Sequence, residues 1–217
     1  MARRYMADTH YGHEGMLTRM DKRNFDTITE MDEYMIKQHN SVVRKNDEVV
    51  YMGDLSIYSA EKVNEILDRL NGKLYLITGN HDKFLKDKKF NRDRFEWIKD
   101  YAELRDNGRK VILSHYPIFC YNGQFRRDEN GVPTTWMLHG HTHLTPDQIL
   151  VEKFKEITRN YPRISRGNDV PTPAPMQMIN TFCMLSDYVP LTLDEWIELE
   201  NSGKILEMLQ KDWRYDG

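Results

Sequence analysis

A chain of 217 residues, 39% hydrophobic and 30% charged, has the makeup of one soluble globular domain large enough to bury a core. Its net charge of -3 disfavours a dedicated nucleic-acid binder, and its two cysteines, Cys120 and Cys183, do not make a disulfide framework. No apolar run approaches the roughly 20 residues that span a bilayer, and no apolar leader precedes Asp8, so a cytoplasmic protein without membrane contact is expected.

Residues 3–7 read as a short strand running into Asp8. Residues 30–44 place Met31, Tyr34, Met35 and Val42 at rough helical spacing, with His39 on the surface of that helix. Glu48 to Met52 is a compact apolar run closed by Gly53-Asp54, as a buried strand would be. Residues 60–71 form a helical pattern, with Val63, Ile66, Leu67 and Leu70 on one face and Asn71-Gly72 as the stop. Leu74 to Ile77 is a second buried strand closed by Gly79. This alternation favours a layered α/β domain.

Val111 to Leu113 reads as a strand ending at His115, and Trp136 to Leu138 as one ending in Gly140, with a long loop over 117–135 between them. Residues 146–160 are helical in pattern. The prolines at 162, 171, 173 and 175 mark an exposed excursion over 161–175. Met178 to Leu185 reads as a late strand, and Leu193 to Leu209 as a helix broken at Gly203. The whole chain, 1–217, reads as one domain, with 144–176 as an inserted helix and Pro-rich excursion.

The eight histidines do not scatter. His39 lies in a helical pattern, but His10, His13, His81, His115, His139, His141 and His143 gather at predicted strand ends beside Asp, Asn or Gly. Open α/β proteins bind ligands at such an edge. Asp8-Thr9-His10 sets a carboxylate and an imidazole two residues apart, and Gly140-His141-Thr142-His143 does the same with two imidazoles. Hard divalent cations take carboxylate and amide oxygens, while imidazole suits Mn, Fe, Zn and Ni. Two cations about 3.5–4 Å apart need a shared oxygen ligand, and Asp54 sits in the chain where a bridge belongs. Two divalent ions bring four positive charges against the two carboxylates of Asp8 and Asp54, a surplus that suits an anionic phosphoester.

Taken in order, Asp8-x-His10, Gly53-Asp54, Gly79-Asn80-His81-Asp82, His115 and Gly140-His141-x-His143 resemble the calcineurin-like metallophosphoesterase superfamily over residues 8–143. The resemblance implies a four-layer α-β-β-α sandwich of two mixed sheets with the metal site at strand ends. It implies one metal on Asp8, His10, Asp54 and His143, and a second on Asp54, Asn80, His115 and His141. It makes His81 the residue that meets the phosphate and assists the leaving group, with Asp82 as its partner in catalysis. Mn is the first expectation for both ions, with Fe, Zn, Ni or Mg fitting parts of the set.

A narrower resemblance, to small bacterial and phage members, is carried by Asp8-Thr9-His10-Tyr11-Gly12-His13, by Arg23-Asn24-Phe25 and by Tyr188 to Glu195. By it, His13 and Arg23 face the substrate, while His139 is structural. Residues 180–187 and the long 144–176 segment depart from those relatives. The function expected is hydrolysis of a small or nucleotide-like phosphoester by a metal-bridging hydroxide. A nuclease, suggested by the basic stretch from Lys83 to Arg94, is the first alternative, and a non-catalytic metal-binding scaffold is the second. Oligomeric state is not legible.

Overall fold

The computed structural model describes residues 1–165 and 168–211. In chain order its elements begin with β1 (Arg3–Met6), α1 (Gly15–Thr18), α2 (Ile28–Val42), β2 (Glu48–Tyr51), α3 (Ala60–Arg69) and β3 (Lys73–Ile77). They continue with β4 (Phe95–Lys99), β5 (Tyr101–Asp106), β6 (Arg109–Ser114), β7 (Thr135–His139) and α4 (Pro146–Asn160). The hairpin β8 (Pro162–Ser165) and β9 (Asn168–Pro173) follows, then β10 (Met178–Asn180), β11 (Leu191–Thr192), α5 (Leu193–Asn201) and α6 (Lys204–Lys211).

The helices begin where their caps dictate. Thr27 accepts a bond from the Glu30 amide, Ser59 from that of Lys62, and Thr192 forms a reciprocal box with Glu195, so amides left open by the first turn are satisfied. Helix α3 buries Val63, Ile66 and Leu67 along one stripe, each contributing about 1.5–3 kcal/mol on leaving water.

Two mixed sheets, flanked by helices, make an α/β sandwich. The first runs β11-β1-β2-β3-β4, with β1 to β4 parallel and β11 antiparallel at the edge. The second runs β10-β7-β6-β5, with β5 antiparallel to β6. Strand β7, a central strand, is buried at all five positions, as expected for a strand covered on both faces. The sheets touch beside the site. Ala7 bridges Phe182, with the Ala7 amide on the Thr181 carbonyl at 2.8 Å and the Cys183 amide on that of Ala7 at 3.0 Å.

Several sequence expectations change. Strands β4 and β5 were not anticipated over 95–106, where charged residues break the apolar runs. Residues 161–164 and 169–173 are exposed, but they belong to an antiparallel hairpin. The late strand stops at Asn180, and Cys183–Ser186 turn as a 3-10 helix instead. His39 is not on a surface: it is fully buried, held by the Tyr51 hydroxyl at 2.9 Å and the Asn71 carbonyl at 2.9 Å. Among the described residues, no helix is long and apolar enough to cross a membrane.

Candidate metal centre

The chemistry-bearing residues leave the strands at tight corners. Asp8 and His10 follow β1, Asp54 follows β2, Asn80 and His81 follow β3, His115 follows β6, and His141 and His143 follow β7. Among the described residues nine non-glycine positions have positive φ, and five of them are Asp8 (58°), His10 (50°), Asp54 (53°), His141 (67°) and His143 (44°). That left-handed backbone costs about 1–2 kcal/mol per residue. Such strain persists only where the surroundings over-determine it, and it gathers at functional sites.

Close approach completes the corners. A Cβ on Gly79 would lie 2.2 Å from both the Asp54 amide nitrogen and Asp54 Oδ1, and one on Gly140 would lie 2.6 Å from Asp8 Oδ2. Only glycine lets these turns press against the carboxylates.

The side chains converge as two triads. Asp8, His10 and His143 form one, and Asp54, His115 and His141 the other, with the ligand atoms of each within 4.8 Å of one another. His10 Nε2 and His143 Nε2 stand 3.2 Å apart. Asp54 Oδ2 lies 3.6 Å from His10 Nε2 and 3.4 Å from His115 Nε2, so it reaches toward both triads. Donors about 2.1 Å from a shared cation stand about 3–4 Å from each other. The observed spacings fit a divalent cation in each triad, and a carboxylate-imidazole donor set suits transition metals.

Electrostatics agree with that fit. Burial, reinforced by His143, drives the His10 imidazole down to about 2, leaving it a neutral donor. Against burial, the bond to His115 and the charges of His115 and His10 hold the Asp54 carboxyl well below the usual carboxylate range. Burial pushes the other way on His115, yet its bond to Asp54 and the charge of Asp8 raise it to about 9. Two carboxylates thus set up a strong demand for positive charge at the point where the triads meet.

The decisive comparison is with sequence families. The family described as Calcineurin-like phosphoesterase matches residues 5–192. The chain belongs to this family. An uncharacterized protein of Methanocaldococcus jannaschii is 30% identical over 206 residues, which cover 94% of each chain. The gene 66 protein of Mycobacterium phage L5 is 31% identical over 168 residues, covering 64% of this chain and 76% of its own. In solved structures, a protein of unknown function from Aquifex aeolicus shares the fold at a TM-score of 0.62 and 21% identity, covering 91% of this chain and 98% of that one. With both triads assembled on this fold, the calcineurin-like chain is a metal-dependent phosphoester hydrolase.

The remaining expected residues of the phosphoesterase fall into two groups. Asn80 is exposed beside the second triad, its Oδ1 3.2 Å from His115 Nε2 and 3.3 Å from the Tyr116 hydroxyl. His81 is half-buried, its ring 5.3 Å from that of His10, and it lines a cleft of about 280 Å³ with Asp54, Asn80 and His141. His13 lies 5.6 Å from His10 by ring centroid. Its Nδ1 accepts the Gly15 amide at 3.1 Å, so Nε2 carries the proton.

Asp82 and Arg23 are set underneath. Asp82 is buried and accepts three amides, those of Asp54, Leu55 and Gly79, at 3.1, 2.7 and 2.8 Å. It ties the β2 corner to the β3 corner. Arg23 is only 1% exposed, and its guanidinium is occupied by the carbonyls of Asp8 and Thr9 and by Asp21. It supports the Asp8 corner from below instead of facing the open cleft.

Three supporting residues went unnoticed in the sequence. Asp21 accepts from His143 Nδ1 at 2.8 Å. Asn180 donates to the His143 carbonyl at 2.9 Å, and Gln148 Oε1 accepts from Thr142 Oγ1 at 2.6 Å. Helix α4, at the start of the atypical 144–176 segment, therefore buttresses the turn that carries His141 and His143. No short motif marks these residues, because each is joined to the site through space. Even so, the Gln148 and Asn180 positions lie in the two segments that depart from the small relatives.

Proposed function

We propose that this phosphoesterase hydrolyses a small or nucleotide-like phosphoester with two divalent cations. One would be held by Asp8, His10, Asp54 and His143, the other by Asp54, Asn80, His115 and His141. The observation that carries this reading is the placement of Asp54 Oδ2 within 3.6 Å of an imidazole from each triad. When bound, the cations supply an activated water and charge compensation for the phosphate oxygens. Manganese is the preferred ion of this reading, since the set mixes hard oxygens with imidazole, and Fe, Zn, Ni or Mg fit it in part.

The chain's own groups take the other roles. His81 donates a proton to the leaving oxygen, and its backbone amide, bonded to Asp54 Oδ1 at 2.7 Å, locks it in register with the bridge. His13 offers Nε2–H to a phosphate oxygen. Asp82 acts through the backbone it holds. The chain is taken as one domain over 1–217. The free thiols of Cys120 and Cys183 support a cytoplasmic setting.

A small ester is preferred to nucleic acid because much of the basic stretch is engaged internally. Lys89 pairs with Glu61, Arg92 donates to the Leu85 carbonyl, and Arg94 donates to those of Leu67 and Leu70. The test is turnover of an aryl monoester and an aryl diester by protein loaded with Mn, its metal counted by mass spectrometry. Two bound ions with hydrolysis of at least one ester is the expected result. Loaded protein that cleaves neither overturns the reading, and strongly salt-dependent DNA binding favours the nuclease.

A further inference from the structure

Asp21 and Arg23 form a buried ion pair whose polar atoms turn toward the first triad. The Asp21 side chain is 1% exposed and that of Arg23 is 0% exposed. Arg23 Nε and Nη2 donate to Asp21 Oδ2 at 3.1 and 2.9 Å. The other carboxylate oxygen, Oδ1, accepts from His143 Nδ1 at 2.8 Å. The proton of His143 is thereby fixed on Nδ1, and the Nε2 lone pair is aimed at His10. Two of the three remaining guanidinium hydrogens reach the Thr9 carbonyl at 2.6 Å and the Asp8 carbonyl at 2.8 Å. One ion pair sets both the Asp8 corner and the His143 ring.

The second triad has weaker backing. His115 Nδ1 donates to a neutral carbonyl, that of Met52, at 2.9 Å, with the nearest Asp8 oxygen at 3.9 Å. His141 is exposed. Within the first triad, His10 Nδ1 has no hydrogen-bond partner among the described residues, so His143, through Asp21, is the one imidazole of that triad held from behind. A buried ion pair adds little to stability over apolar groups of the same shape, so its presence here is better explained by orientation than by adhesion. A carboxylate behind a ligating imidazole orients the ring and raises its basicity.

We propose that Asp21, clamped by Arg23, is the positioning residue of His143 and makes the Asp8–His10–His143 site hold its cation more tightly than the Asp54–His115–His141 site. The proposal rests on the two-cation reading above.

Calorimetric titration of metal-stripped protein with Mn tests it. Wild type should take up two equivalents in two unequal steps. In Asp21→Ala the tighter step should weaken about 10–100-fold while the weaker step stays within about threefold. Asp21→Asn, which keeps an oxygen toward His143 without the charge, should fall between the two and serves alone where the alanine variant does not fold. Saturating Mn should restore turnover in the asparagine variant. Both steps weakening alike, neither weakening, or two equal steps in wild type would each overturn the proposal. A wild type that binds no Mn would instead defeat the two-cation reading.

Discussion

The Nε2 atoms of His10 and His143 face each other at 3.2 Å inside the protein. With the His143 proton on Nδ1, its Nε2 is a lone pair, and His10 Nε2 either donates to it or, with its own proton on Nδ1, presents a second lone pair. A cation between them would take both lone pairs, with the His10 proton on the otherwise unpartnered Nδ1. Adding Mn to metal-stripped protein should therefore raise the melting temperature. At a thousandfold excess over the dissociation constant the gain is about 4 kcal/mol, or roughly 8–16 °C for a chain of this length. Calorimetric scans with and without chelator check it, and coincident transitions would count against metal uptake at this point.

His81 lines the cleft but is absent from both triads. His81→Ala should keep two bound metals and lose about 10²–10⁴-fold in kcat. The loss should be larger for an alkyl ester than for a nitrophenyl ester, whose leaving group needs no proton. Equal losses on both esters would show that His81 does not protonate the leaving oxygen.

Gly79 leaves no room for a methyl group. Its Cβ would fall 2.2 Å from backbone and carboxylate atoms of Asp54. Gly79→Ala should destabilise the fold by about 1–3 kcal/mol, as overpacking does, and lower metal stoichiometry by displacing Asp54, whose Oδ2 reaches toward both triads. Denaturant melts and metal analysis of the variant measure both effects.

His39 sets part of the acid limit of stability. Burial drives its imidazole down to about 4 from an ordinary 6.5. As pH falls, the unfolded chain is protonated first. The contribution of neutral His39 is complete above pH 6.5 and is lost progressively as pH falls toward 4. It amounts to roughly 3 kcal/mol by that linkage. His39→Gln keeps a donor for the Asn71 carbonyl and an acceptor for Tyr51, and should flatten stability against pH in that window. An unchanged acid slope in the variant would contradict the assignment.

The six residues of the two triads were legible in sequence because each sits within a few residues of a strand end, and strands such as Glu48 to Tyr51 announce themselves by compact apolar runs. The corners themselves were legible through Gly53, Gly79 and Gly140. His39 was misread because helical spacing does not say which face meets a neighbour: the polar ring is buried against Tyr51 and Asn71, which lie 12 and 32 residues away. Arg23 was placed at the substrate by the resemblance to small bacterial and phage members, but the structure buries it. Four of its five N–H groups meet oxygens of Asp8, Thr9 and Asp21, the fifth lies toward the sulfurs of Met31 and Met35, and only the assembled fold shows this. Strands β4 and β5 escaped notice because Glu96, Lys99, Glu103 and Arg105 interrupt their apolar positions.

The two sheets bring different donors to the centre. Asp8, His10 and Asp54 hang from the first, and His115, His141 and His143 from the second, and each triad mixes both. A cation in either triad therefore stitches one sheet to the other, alongside the few backbone bonds near Ala7 and Phe182. Tightness of metal binding then adds to the resistance of the sandwich to splitting, beside the apolar core that both sheets share. Loss of metal should be felt first as faster amide exchange along the seam between the sheets, well before either sheet comes apart.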